Sequence, residues 1–120
     1  MLLLLISSFI AVSRFSRQSI NKTLDQLLTD KRKAVILFFS EDTSLLDGVF
    51  SILDRAYHNY RDVATIAFFD VRGSQSNISS IPITQSPELA FFIDQKYAGS
   101  YYGNWTDNSI LDFISDFIQE

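Results

Sequence analysis

The chain has 120 residues, 47% of them hydrophobic and 20% charged, a net charge of −4, one histidine and no cysteine. That length suits one domain with an ordinary core. The composition excludes disulfides, thiol chemistry and thiolate metal sites, and it argues against a Ser-His-Asp triad, a multi-histidine metal centre and a general nucleic-acid binder.

Residues 2–12 are apolar apart from Ser7 and Ser8. Eleven residues are too few to span a bilayer as a helix, which takes about twenty. The run has the length of the apolar part of a secretory signal peptide, and Ala11-Val12-Ser13 offers small residues for cleavage. Residues 1–13 are therefore expected to be a signal peptide and residues 14–120 the domain. A mitochondrial presequence is the alternative, since residues 1–24 hold Arg14, Arg17 and Lys22 and no acid. An uncleaved anchor is the remaining option, and the only route to a membrane. Three sequons, at Asn21, Asn77 and Asn104, agree with secretory entry and mark glycosylation sites. Charge is uneven. Residues 14–33 carry six basic and two acidic side chains, and residues 34–120 carry four and twelve.

Ile20, Leu24, Leu27 and Leu28 fall on one helical face, with Lys31-Arg32-Lys33 at the C-terminal end where cations suit the helix dipole. Residues 34–39 are continuously apolar and read as a strand buried on both faces. Thr43 or Ser44 caps a second helix, with Glu41 and Asp42 complementing its positive end. Its apolar face is Leu45, Leu46, Val49, Phe50, Leu53 and Tyr57. Residues 63–71 read as a second strand, and 72–84 as a polar loop or short helix. Residues 89–93 form a third strand, Asp94-Gln95 a turn, and 96–102 a returning strand. Thr106 caps a last helix with an apolar stripe of Ile110, Phe113, Ile114, Phe117 and Ile118 and a wetted stripe of Asp112, Asp116 and Glu120. A helix between the first two strands makes them parallel, and a tight turn makes the last two antiparallel. The fold class is thus α/β, a mixed central sheet with helices on both faces.

Over residues 19–119 this order resembles the thioredoxin-like family. The anchors are VILFF followed by a helix start at 41–44, then VATIAFFDV, then Ile83-Thr84-Gln85-Ser86-Pro87 running into ELAFFI, and Gly103 before the last helix. Pro87 falls where the family has its cis-proline. It lies 44 residues after Thr43 and 16 before Gly103, separations typical of compact members. The family's CxxC falls on Thr43-Ser44-Leu45-Leu46, the aromatic residue before it on Asp42, and its buried acid on Leu37. Thiol–disulfide exchange needs a thiolate, which hydroxyl and isobutyl groups cannot replace. The resemblance therefore implies a redox-inactive member, similar to the non-catalytic domains of disulfide-isomerase-like proteins. Active relatives hold extended polypeptide beside the cis-proline, a surface that does not depend on sulfur. Here it would comprise Phe39, Asp42, Thr43, Ser86, Pro87 and Tyr102. The expected partner is unfolded polypeptide or a client protein in the endoplasmic reticulum or outside the cell.

Other residues carry weaker signals. Glu41 and Asp42 are adjacent at a helix start, as dipole complements are, and His58 sits in the last turn of a helix. Asp112, Asp116 and Glu120 share one helix face without the shaped loop that calcium needs. Gly99-Ser100 and Gly103 form no phosphate loop. Tyr97, Tyr101 and Tyr102 suit hairpin packing or a protein contact better than base stacking. No catalytic residue, metal site or cofactor is expected. The alternative function is a structural subunit of a larger, mitochondrial assembly. An enzyme of another type would need a nucleophile–base pair or cofactor motif.

Overall fold

A computed structural model describes residues 22–40, 44–71 and 87–119. The elements are α1 (Leu24–Asp30), β1 (Lys33–Phe39), α2 (Ser44–Tyr60), β2 (Ala64–Asp70), β3 (Glu88–Ile93), β4 (Lys96–Ser100) and α3 (Asp107–Gln119). The expected signal peptide, Ile20, the 72–84 loop and Glu120 lie outside the described residues. No described helix is long and apolar enough to cross a membrane.

The four strands lie in the order β2-β1-β3-β4. β1 is parallel to β2 and antiparallel to β3, and β3 is antiparallel to β4. β1 is buried along its whole length because it has a strand on each edge and helices on each face. Its even-numbered residues Ala34, Ile36 and Phe38 meet Leu24, Leu27 and Leu28 of α1, and its odd-numbered residues Val35, Leu37 and Phe39 meet α2 and α3. The period-2 alternation of a strand divides one apolar run between two cores. Leu37 is packed wholly in the second.

Local signals set the element ends. Thr23 caps α1: its Oγ1 accepts from the Gln26 amide (3.2 Å) and Gln26 Oε1 accepts from the Thr23 amide (2.8 Å), a reciprocal capping box. The second strand starts at Ala64 and not Val63. The Val63 amide donates to Tyr60 O (2.9 Å), which keeps Val63 in the turn closing α2, exposed to solvent. Asp94 and Gln95 both take positive φ (51° and 71°), the conformation of a two-residue hairpin turn twisted like the sheet. β4 ends at Ser100, two residues earlier than the apolar pattern suggests. A bulge opposite Phe91 and Phe92 interrupts its pairing, where Gly99 adopts φ 146°.

Lys33 departs most from expectation. It does not serve the end of α1 but begins β1, where it is buried. Its Nζ donates to Phe117 O (2.6 Å) and Ile118 O (3.4 Å), and it lies 5.2 Å from the centre of the Phe117 ring. The last carbonyls of a helix have no intrahelical partner and carry the negative end of its dipole. One lysine thus ties the C-terminus of α3 to the first residue of the central strand. On α3, Ile110, Ile114 and Phe117 are buried, whereas Phe113 is 43% exposed while still stacking on Phe91 and Tyr101. Asp112 and Asp116 face solvent as expected. Arg55 Nη2 reaches Asp107 Oδ2 (2.7 Å), and Tyr60 OH donates to Ser115 Oγ (3.0 Å), joining α2 to α3.

Candidate functional site

The sheet register assembles the candidate site. β1 and β3 pair Phe38 with Glu88, so Phe39 and Pro87, the next residue of each segment, lie at the same end of the sheet. β3 and β4 pair Ala90 with Ser100, and the Tyr101 amide donates to Leu89 O (2.9 Å). β4 ends at Ser100, and Tyr102 and Gly103 follow directly, at the end of the sheet where β3 begins. The strand ends thus bring Phe39, Pro87 and Tyr102, separated by as many as 63 positions in sequence, to one end of the sheet. It is the end where the parallel strands finish and α2 and α3 begin, the usual place for a ligand in an α/β sheet. Asp42, Thr43 and Ser86 lie outside the described residues.

The three placed residues differ in what they offer. Tyr102 is 71% exposed. Pro87 is buried at the head of β3. Having no N–H, it adds no donor to the sheet there. The expectation that Phe39 faces a partner is corrected. Its ring is only 6% exposed and packs against Phe50 (5.7 Å) and Phe68 (6.1 Å), which themselves stack at 5.0 Å. It supports the site from beneath.

The loop after Tyr102 is fixed from inside. Tyr101 is buried, its hydroxyl donates to the carbonyl of Asn104, and its ring meets Trp105 edge-on at 5.9 Å. Gly103 is required here, because a Cβ would fall 2.6 Å from the Tyr101 hydroxyl oxygen and 2.8 Å from the ring carbon that bears it. Asn104 itself is exposed. Asn21 and Asn77 lie outside the described residues.

One buried acid escapes sequence reasoning. Glu88, next to Pro87, has no exposed surface. Its Oε2 accepts from Ser100 Oγ (2.8 Å), whose oxygen lies 2.6 Å from Tyr97 OH. Since Ser100 spends its single proton on Glu88, Tyr97 donates to Ser100. The relay lies on the α1 face of the sheet and ties the start of β3 to both ends of β4. The signal was present in principle: with the turn at Asp94-Gln95, Glu88 and Ser100 fall near each other on one face. His58, 3.7 Å from Asp54, is exposed near the C-terminal end of α2 and remote from this end of the sheet.

No family model and no curated protein matches the chain in sequence. Solved structures do match. A mutant thioredoxin from Halobacterium salinarum superposes with a TM-score of 0.66 at 18% identity, over 79% of this chain and 82% of that one. Oxidised thioredoxin from Plasmodium falciparum gives 0.67 at 14%, over 78% and 88%. Human ERp44 gives 0.65 at 16%, over 78% of this chain and 30% of its own, so this chain spans less than a third of that protein. The chain has the thioredoxin fold, a mixed four-stranded sheet between helices. Its sequence places neither cysteine of that fold's redox motif on it.

Proposed function

We propose that this chain is a redox-inactive thioredoxin-fold module that binds extended polypeptide at the Pro87–Tyr102 end of its sheet, without a chemical step. The observation that carries the reading is the topology that brings the end of β1, the start of β3 and the end of β4 to one end of the sheet and leaves Tyr102 in solvent there. A strand end of this kind suits an extended backbone, and an exposed tyrosine supplies a rigid apolar contact at small entropic cost. Thiol exchange by this chain is excluded because it has no sulfur nucleophile. The acidic balance of residues 34–120 favours clients carrying lysine or arginine.

We place the module in the secretory pathway, in the endoplasmic reticulum lumen or exported. The apolar run at 2–12 and the three sequons support that placement. Sequencing the mature N-terminus from eukaryotic cells tests it. A start near Arg14 is expected. Cleavage further along with mitochondrial co-fractionation would favour a scaffold subunit instead.

The binding reading is tested by titrating the isotope-labelled chain with unfolded peptides and following amide shifts. Shifts at Phe39, Glu88, Tyr102 and Gly103 are expected. Tyr102→Ala should weaken binding about tenfold, as truncating an aromatic anchor does, and leave the fold intact. No shift at this end at high peptide concentration would end the reading.

A further inference from the structure

We infer that Asn104 is an N-glycan acceptor whose first sugar lies over Tyr102, so that glycan and polypeptide compete for the Pro87 end of the sheet. The competition rests on the polypeptide-binding reading above, and the acceptor site does not.

Among the three sequons, Asn104-Trp105-Thr106 lies wholly within the described residues, in the connection from β4 to α3. Its fixed parts are the backbone and Trp105. The carbonyl of Asn104 is held by the Tyr101 hydroxyl, Trp105 packs on the Tyr101 ring, and the carbonyl of Thr106 accepts from the Ile110 amide (3.1 Å). The two residues that the transfer reaction reads, Asn104 and Thr106, are exposed. A glycan here leaves the core contacts of the loop in place. By contrast, Thr23 of the Asn21 sequon uses its hydroxyl to cap α1.

The second observation is Tyr102. It stands two residues before Asn104, and at 71% exposure it is the most exposed large apolar side chain among the described residues. Gly103 puts no side chain between them and tolerates none, since a Cβ would strike Tyr101. One face of an N-acetylglucosamine ring carries only C–H groups. Such a face covers an aromatic ring and removes its apolar surface from water. The acceptor and an apolar platform are therefore adjacent, and the platform belongs to the end of the sheet proposed to take polypeptide.

The chemistry balances with one co-reactant, an oligosaccharide linked to a lipid diphosphate. Asn104 Nδ2 forms a bond to the anomeric carbon, the bond from that carbon to the diphosphate oxygen breaks, and one amide proton leaves for the released lipid diphosphate. No electron transfer is involved.

The test is expression of the full chain with its own N-terminal segment in mammalian cells, with site-resolved mass analysis. A glycan on Asn104 is expected, absent in Asn104→Gln and Thr106→Ala and retained in Thr106→Ser. Peptide binding is then compared for the glycosylated chain, the chain trimmed to a single N-acetylglucosamine, and the bare chain made in bacteria. Both sugar-bearing forms are expected to bind peptide about fivefold more weakly than the bare chain, as blocking one aromatic contact does. The Tyr102 ring resonances should shift in both. An unmodified Asn104 would overturn the inference. So would a glycosylated chain with unchanged Tyr102 resonances and unchanged affinity. A bare chain that binds no peptide would end the polypeptide-binding reading and the competition with it, whereas the mass and the Tyr102 resonances still decide the acceptor site.

Discussion

At the end of the sheet where β1 begins, Lys33 is buried and its ammonium donates to the carbonyls of Phe117 and Ile118, whereas at the end where β1 finishes and β3 starts, Tyr102 stands in solvent. Both ends belong to one sheet and meet helix termini. At the first end, the end of α3 meets a cation supplied by the central strand, and Arg32, just before β1, pairs with Asp94 of the hairpin turn at 3.5 Å. At the second, polar groups are satisfied inward, through Glu88–Ser100–Tyr97 and Tyr101–Asn104, and an aromatic side chain is left facing out. The lysine end ties helix to strand, and the proline end combines a packed underside with an exposed tyrosine, which is where the proposed recognition falls.

Substitutions at each end should therefore differ in kind. Lys33→Ala should have the largest effect on stability, about 2–3 kcal/mol, because it strands buried helix carbonyls and removes charge-assisted bonds. Urea midpoints would measure the loss, and peptide affinity should stay unchanged. A loss of affinity without loss of stability would break the division between the ends. Gly103→Ala should cost about 2 kcal/mol, since the new methyl displaces the Tyr101 ring. Unlike Lys33→Ala, it should also move the Tyr102 amide resonance.

Thr65 sharpens the comparison from the other direction. It lies near the lysine end, pairs with Ala34, and its buried hydroxyl has no hydrogen-bond partner among the described residues. Thr65→Val keeps the shape and removes the orphaned group, so thermal unfolding should show a gain of about 1 kcal/mol. Arg55→Ala should change stability least, by about 0.5 kcal/mol or less, because its pair with Asp107 is exposed and screened.

Much of the frame is legible in the residues. Six apolar side chains from Ala34 to Phe39 need both faces covered, so a central strand with helices on each side follows. The stripe of α3 and the Asp94-Gln95 turn carry their own periodicity and backbone signals. What escaped depends on contacts between distant elements. Lys33 reads as the third member of a basic run, and nothing local says that it serves a helix 84 residues away. Glu88 precedes the apolar run 89–93, and its burial is sustained by a hydroxyl from β4 that no local pattern announces. Phe39 reads as buried from its apolar run and as partner-facing from the family resemblance, and its packing on Phe50 and Phe68 favours the first. Val63 continues an apolar run yet belongs to a turn, because a single backbone hydrogen bond keeps it there. At the candidate site, the family resemblance brought out Pro87 and Tyr102, and the strand order puts both at one end of the sheet.

The central claim is that polypeptide binds at the proline end and nowhere else on the sheet. Photo-crosslinking the bare chain to an unfolded peptide, with the attachment points mapped by mass spectrometry, tests it most directly. The account predicts crosslinks at Tyr102 and its neighbours around Pro87, lost with Tyr102→Ala and kept with Lys33→Ala. Crosslinks around Lys33 and the Asp94-Gln95 turn, or a pattern indifferent to Tyr102, would contradict it.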